Sequence, residues 1–212
     1  MSPVPLVIRN TAGLAEYEPV WRAMQTFTRE RDEGTPDELW SLQHSPVYTL
    51  GLAGRPEHLL KASQIPVIKV DRGGQITYHG PGQIVVYLLL DLRRRHLTVK
   101  GLVRLMEDAV MAVLAEHGVE AALRPGAPGV YVDDAKIAAL GLRVQRGCSY
   151  HGVSLNVDLD LAPFGAINPC GYAGMPVTRT RDLGISKPLA HLERQLLDQL
   201  TTRLDACGAT TS

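Results

Sequence analysis

The chain has 212 residues, 45% hydrophobic and 21% charged, enough for one sizeable core and short for two. Its 22 Lys and Arg balance 22 Asp and Glu, so no general field draws it to nucleic acid or to an anionic membrane. Cysteines at 148, 170 and 207 lack the spacing of a disulfide framework; the expectation is one domain over residues 1–212, cytoplasmic, with reduced thiols.

The N-terminal stretch MSPVPLVIRNTAGLAEYEP lacks the basic region and long apolar run of a signal peptide. Helical spacing of Tyr17, Val20, Trp21, Met24 and Phe27 predicts a helix over about residues 14 to 30, with Pro19 in its first turns, where a missing N–H is tolerated. Strands are predicted at Glu38–Gln43 and Val47–Leu50, broken by His44-Ser45-Pro46, and at Pro66–Val70. Ile84–Leu90 reads as a fully buried strand; it is the longest apolar run and far too short to span a bilayer. Thr98 is a fitting N-cap for a helix with the stripe Leu102, Leu105, Met106, Ala109, Val110, Val113 and Leu114, ended by Gly118. Val130–Val132 and Lys136–Val144 form a hairpin about Asp133-Asp134, Gly152–Val157 is another strand, and the leucines from 189 to 204 make a closing helix. Strands outnumber helices without regular alternation, which predicts an α+β fold on a mixed sheet.

Four features carry possible chemistry. DRGGQITYHGPGQ, residues 71 to 83, holds glycines at 73, 74, 80 and 82, which allow tight turns and close approach of backbone to a ligand. It has no GxxxxGK[ST] pattern and leads into an apolar strand, so a narrow slot or a pair of tight turns fits better than a triphosphate cradle. Cys148-Ser149-Tyr150-His151 spells CxxH, but an extended chain points residues three apart to opposite faces, and no second ligand pair occurs among the seven histidines; no metal is expected. His79 and His151 each read as hydrogen-bonded structural residues or site residues, with His79, between glycine turns, the better site candidate. Lys136 shares an alternating face with Ala138, Leu140 and Leu142, so it is either an edge lysine reaching water or a buried amine able to carry protons. Cys170, in INPCGYAG, sits at a turn rather than on a packing face. An ordinary thiol is only about three per cent thiolate at neutral pH, and a nearby ammonium would raise that fraction. Read alone, Cys170 remains either structural or a nucleophile, and Cys148 and Cys207 carry no role.

Together DRGGQITYHGPGQ, GAPGVYVDDAKIAALGLRVQRGCSYHGVSLNV and PFGAINPCGYAGM resemble the lipoate-protein ligase B family of octanoyl-[acyl carrier protein]–protein octanoyltransferases, in the right order over about residues 6 to 200. The resemblance implies a biotin/lipoate protein ligase-like catalytic domain and the first step of endogenous protein lipoylation. It implies octanoyl-acyl carrier protein as donor, and as acceptors the lipoyl domains of 2-oxoacid dehydrogenase complexes and the glycine cleavage H protein. By motif it implies Cys170 as the nucleophile that becomes an acyl-thioester and Lys136 as its acid/base partner. It also implies substrate-binding segments at Arg72, Gly73, Gly74, Gln75, Ile76, Thr77, Tyr78 and His79, at Ala139, Leu140 and Gly141, and at Gly152, Val153 and Ser154. Relatives commonly carry Ala where Ser154 stands, a mild departure. No cofactor is implied, since thioester exchange is nearly isoenergetic. Two rivals are an ATP-dependent ligase on the same scaffold, which would use Lys136 without Cys170, and a non-catalytic binder of lipoyl domains or acyl chains. The run Arg93-Arg94-Arg95, with Lys100 and Arg104, suits either docking of an acidic donor or a solvated face.

Overall fold

A computed structural model describes residues 5–61, 63–168 and 174–208. In chain order it contains β1 (Leu6–Ala15), α1 (Tyr17–Glu30), β2 (Asp37–His44), β3 (Val47–Leu50), β4 (Val67–Lys69), β5 (Ile76–His79) and β6 (Gln83–Leu89). There follow α2 (Val99–Ala115), β7 (Ala122–Arg124), β8 (Ala127–Val132), β9 (Ala135–Gln145), β10 (Cys148–Asn156) and α3 (Leu189–Gly208). Seven strands form one sheet in the order β1-β2-β6-β10-β9-β8-β7, parallel only between β1 and β2; β4-β3-β5 form a smaller sheet.

The interior strand β6 is buried at every residue because both of its faces are covered. Ile84, Val86 and Leu88 pack with the stripes of α2 and α3, while Val85, Tyr87 and Leu89 pack with Met24 of α1. This two-residue alternation is the strand's own pleat, and it explains why the segment is apolar throughout. The α2 stripe is buried as expected, and the Thr98 side chain accepts the Gly101 N–H at 3.0 Å, satisfying an otherwise orphan donor.

Two expectations change. No strand was expected before α1, yet β1 runs alongside β2; it is exposed along most of its length, so it carries no burial alternation to read. The run Arg93–Arg95 is not a free basic cluster. Arg95 is 1% exposed and pairs with Asp37, which is fully buried. Arg94 donates to Asp37 Oδ1 at 2.8 Å and to the carbonyls of Thr35 and Glu33, and Arg31 reaches the same carboxylate at 2.6 Å. Burial alone would raise the Asp37 pKa, but the Asp91 backbone N–H and the guanidinium groups outweigh it and hold the carboxyl below its usual range. Arg94 and Arg95 are therefore structural, and Arg104 is paired with Asp108. Of the three consecutive arginines only Arg93 is largely exposed, with its side chain at 73%.

Candidate active site

The α1 side of the large sheet forms the floor of a narrow slot, partly open to solvent, and the segment from Arg72 through β5 forms its wall. Glycines set how closely these layers approach. Gly141 and Gly152 face each other across β9 and β10. A Cβ on Gly141 would stand 2.9 Å from Arg72 Cδ and 3.3 Å from the Gly73 carbonyl, so any side chain there would push the wall off the floor. The Gly73 N–H bonds the Leu142 carbonyl at 2.9 Å, which docks the glycine loop on β9.

Twelve of the fourteen positions expected to bind substrate line this slot: Arg72, Gly74, Gln75, Ile76, Thr77 and His79 on the wall, and Ala139, Leu140, Gly141, Gly152, Val153 and Ser154 on the floor. Gly73 and Tyr78 do not. Tyr78 points away from Thr77 and His79, as alternation along β5 requires, into a cluster with Tyr48, Ile76 and Ile167; Ile76 shares that face and borders the slot as well. Tyr17, Val85, Tyr87 and His151 also line the slot and were not singled out as substrate contacts in the sequence. Tyr17 read as one member of a helix stripe, and Tyr87 was hidden in an apolar run. A tyrosine inside IVVYLLL was the available signal, since a buried hydroxyl demands a partner.

Lys136 is 4% exposed, which decides between the two readings of it in favour of a buried amine. Its Nζ donates to the Pro128 carbonyl at 2.8 Å and stands 5.4 Å from the Tyr131 ring centroid. Gly129 makes room for it: at φ 140° only glycine is at ease, and a Cβ there would lie 2.3 Å from Lys136 Cε. The cavity around Lys136 is bounded by Thr77, Gln83, Ala138, Ala139, Asn156, Phe164 and Val177. It shares Thr77 and Ala139 with the slot, and Phe164 and Val177 with a cleft that Asn168 and Gly174 border. Cys170 lies outside the described residues.

At the other end of the slot, Asp71 accepts four hydrogen bonds: from Trp21 Nε1 (2.8 Å), Gln25 Nε2 (2.9 Å), Tyr150 Oη (2.5 Å) and His151 Nε2 (3.0 Å). Burial would raise its pKa, but these donors, His151 and Tyr150 foremost, more than reverse that and hold it well below the usual carboxylate range. Burial also pushes His44 down to about 4 and His79 down to about 3, so both rings are neutral near pH 7. His44 Nδ1 bonds the Ala15 carbonyl at 2.9 Å, which makes its Nε2 the acceptor for the Tyr87 hydroxyl at 2.6 Å; His79 Nδ1 donates to Gln83 Oε1 at 2.7 Å. His151 thus serves Asp71, while Cys148 of the CxxH pattern is buried among Arg31, Arg93, Asp37 and Asp91.

The site can hold a narrow apolar chain along its floor and present a buried amine at one end. Residues 16–201 match the family model of the lipoyl protein ligase A/B catalytic domain. An octanoyltransferase of Azoarcus sp. (strain BH72) is 62% identical over 198 residues, 93% of this chain and 87% of that protein. Among solved structures, lipoate-protein ligase A bound with ATP superposes with a TM-score of 0.77 at 15% identity, over 95% of this chain and 85% of that one. The biotin protein ligase of Aquifex aeolicus superposes at 0.57 with 10% identity, over 97% and 72%. At such identities these two likenesses speak for the fold, whereas the family match and the Azoarcus relative place the sequence itself: the chain belongs to the lipoyl protein ligase A/B catalytic domain family.

Proposed function

We propose that this chain is an octanoyltransferase of protein lipoylation that moves an octanoyl group from a carrier-bound thioester to a lysine of a lipoyl domain, by way of a thioester on Cys170. The 62% identity to an octanoyltransferase supports the transfer itself. The observation that carries the mechanism is the buried Lys136 amine in a cavity joined on one side to the slot and on the other to the cleft bordered by Asn168 and Gly174. Cys170 lies between those two residues in the sequence, so this arrangement supports bringing thiol and amine together.

In the first half-reaction the Cys170 thiolate attacks the donor's carbonyl carbon, a C–S bond forms, and the carrier's C–S bond breaks. The departing thiolate takes the proton that Lys136 received from Cys170, so charge and protons balance. In the second, the acceptor's amine attacks the Cys170 thioester, an amide forms, and Cys170 leaves as thiolate while Lys136 takes the amine's proton. The eight-carbon chain lies along Thr77, Ala139, Leu140 and Val153, where each buried methylene contributes up to about 0.8 kcal/mol. The donor is octanoyl-acyl carrier protein; the acceptors are lipoyl domains of 2-oxoacid dehydrogenase complexes and the glycine cleavage H protein; the setting is the cytoplasm. Among the described residues no helix is long and apolar enough to cross a membrane.

Intact-mass measurement after incubation with octanoyl carrier protein, without ATP, tests this. One octanoyl adduct is expected on the wild type and none on Cys170→Ala, and an adduct that persists in Cys170→Ala overturns the intermediate. Lys136→Ala should slow acylation by about 10²–10⁴-fold, the range for a lost acid/base group.

A further inference from the structure

Away from the slot, one charged side chain lies where α2 otherwise sets apolar residues. Glu107 is 7% exposed, buried beside Leu105, Met106, Ala109 and Val110 of the helix stripe. α2 covers the face of the large sheet opposite the slot, so a carboxylate there needs a reason to leave water. Arg104 on the same helix spends its guanidinium on Asp108. Glu107 Oε1 instead accepts the backbone N–H of Gly129 at 3.1 Å.

That N–H belongs to the peptide group between Pro128 and Gly129, and the carbonyl of the same group accepts Lys136 Nζ at 2.8 Å. One amide plane thus carries a carboxylate at its N–H end and the buried amine at its C=O end. Local backbone features set this up. Gly129 sits at φ 140°, and a Cβ on it would stand 2.9 Å from Lys136 Nζ, so no other residue lets the amine reach this carbonyl. On β9, Ala138 pairs with Val130 but Lys136 pairs with Tyr131, which leaves Ile137 as an extra residue. A bulge of this kind re-aims a side chain. The Lys136 backbone is held in turn: its N–H bonds the Pro176 carbonyl at 2.8 Å, and its C=O accepts the Thr178 N–H at 3.0 Å.

We propose that Glu107 is a positioning residue for Lys136, which it serves from the far side of the sheet by fixing the Pro128–Gly129 peptide. A lysine head on a flexible four-carbon stem needs a fixed acceptor to stay aimed. A misplaced acid/base group costs rate steeply. Hydrogen bonds that share one amide also strengthen each other, so the carboxylate makes the Pro128 carbonyl a better acceptor for the amine. Because Glu107 stands on the face away from the slot, its loss should act on the chemical step and leave donor binding alone.

The inference rests on the acid/base reading of Lys136, and a double-mutant cycle separates the two. Acylation of Cys170 by octanoyl carrier protein is followed by intact mass, per folded molecule, in the wild type, Glu107→Gln, Glu107→Met and Lys136→Ala, and in each Glu107 variant combined with Lys136→Ala. Glu107→Met removes the acceptor and should lower the maximal acylation rate about tenfold, with the half-saturating donor concentration unchanged. Glu107→Gln keeps an oxygen for the Gly129 N–H and should recover most of that loss. In the Lys136→Ala background neither change should slow the reaction further. Glu107→Ala, which also removes the acceptor, takes the place of Glu107→Met should the latter fail to fold. A loss of equal size in both backgrounds would make Glu107 merely structural and overturn the inference, as would a wild-type rate without the acceptor. Glu107→Gln no faster than Glu107→Met overturns it too, because the retained acceptor would then count for nothing. Each of these leaves Lys136 in its role, whereas a wild-type rate in Lys136→Ala overturns the acid/base reading and the inference together.

Discussion

Asp37 and Asp71 are both carboxylates gathered in by several donors, and they do opposite work. Asp37 is fully buried and collects cations: Arg31, Arg94 and Arg95, with the Asp91 N–H. Asp71 collects neutral donors from α1 and β10, namely Trp21, Gln25, Tyr150 and His151. The first is a charge-compensated knot that ties the start of β2 to the loop after β6, away from the slot. The second keeps its negative charge uncompensated by any of its four donors and, of the side chains it holds, fixes the tautomer and aim of the one on the slot, His151. Electrostatic closure marks the knot that serves the fold, and neutral donors mark the one that serves the site.

The largest effect is expected at Asp37. Asp37→Ala would leave Arg95 and the 5%-exposed side chain of Arg31 without their anion. Breaking a buried pair in this way costs about 3–5 kcal/mol. For a chain of this size that lowers Tm by roughly 6–20 °C, read by calorimetry. Octanoyl transfer per folded molecule should stay within about twofold; a stable variant that has lost transfer would show that Asp37 serves the site after all.

Acid should attack the slot side before the Asp37 side. His44 and His79 are pushed down to about 4 and about 3 by burial, from an ordinary value of 6.5. Below pH 6.5 the unfolded chain binds protons at these rings that the folded chain refuses, so their stabilisation is complete above that pH and is lost as pH falls toward 4. At pH 5 the loss is about 2 kcal/mol for each ring. Asp37 and Asp71 are held below the ordinary carboxylate value of 3.8, so their contribution is present above that pH and disappears only as pH falls below it. Hydrogen exchange at pH 5 should therefore quicken around β5 and the start of β6 while the start of β2 stays protected. Equal quickening at both places would deny the distinction.

Asp71→Asn is the milder and more discriminating change. The amide oxygen can still accept from Trp21 and His151, which share Oδ1, while Gln25 and Tyr150, which share Oδ2, lose their acceptor. The expected cost is about 1–3 kcal/mol in denaturant unfolding. Octanoyl transfer per folded molecule should hardly move, since the His151 tautomer is kept; a large loss of transfer would mean that the charge, rather than the hydrogen bond, serves the slot.

The sequence shows Asp37's neighbours and Asp71's neighbours very differently. Elements whose cause is local were readable: the run at Ile84–Leu90 because both faces of β6 are covered, and α2 because Thr98 caps a periodic stripe. Gly-rich wall and floor segments were readable through their motif, and twelve of their fourteen positions meet in one slot. Asp71 was not, because its donors come from α1, 46 and 50 residues earlier, and from β10, 79 and 80 residues later. Nothing near DRGG announces them. Tyr17 was unreadable as a slot residue for the same reason: helical period says only that it faces inward, not that a cavity lies there. Arg94 and Arg95 misled in the reverse direction, since a basic run looks solvated until a buried carboxylate is brought to it from β2.

The smallest effect separates neighbours within that run. Arg93 has its side chain 73% exposed and stands 3.8 Å from Asp91, whereas Arg94 spends its guanidinium on Asp37 and two carbonyls. Charge reversal at Arg93 should change stability by less than about 0.5 kcal/mol, the range for an exposed ion pair. Charge reversal at Arg94 would set a carboxylate against Asp37 and should cost several times more. Arg93→Glu is therefore the one substitution in the triplet that can report on an acidic donor without disturbing the fold. If the donor docks here, KM for the carrier-bound thioester should rise about two- to fivefold at low ionic strength. The effect should fade when the Debye length shrinks to about 3 Å at 1 M salt. A KM unmoved at low salt would leave Arg93 as a solvated residue and assign the whole triplet to holding Asp37.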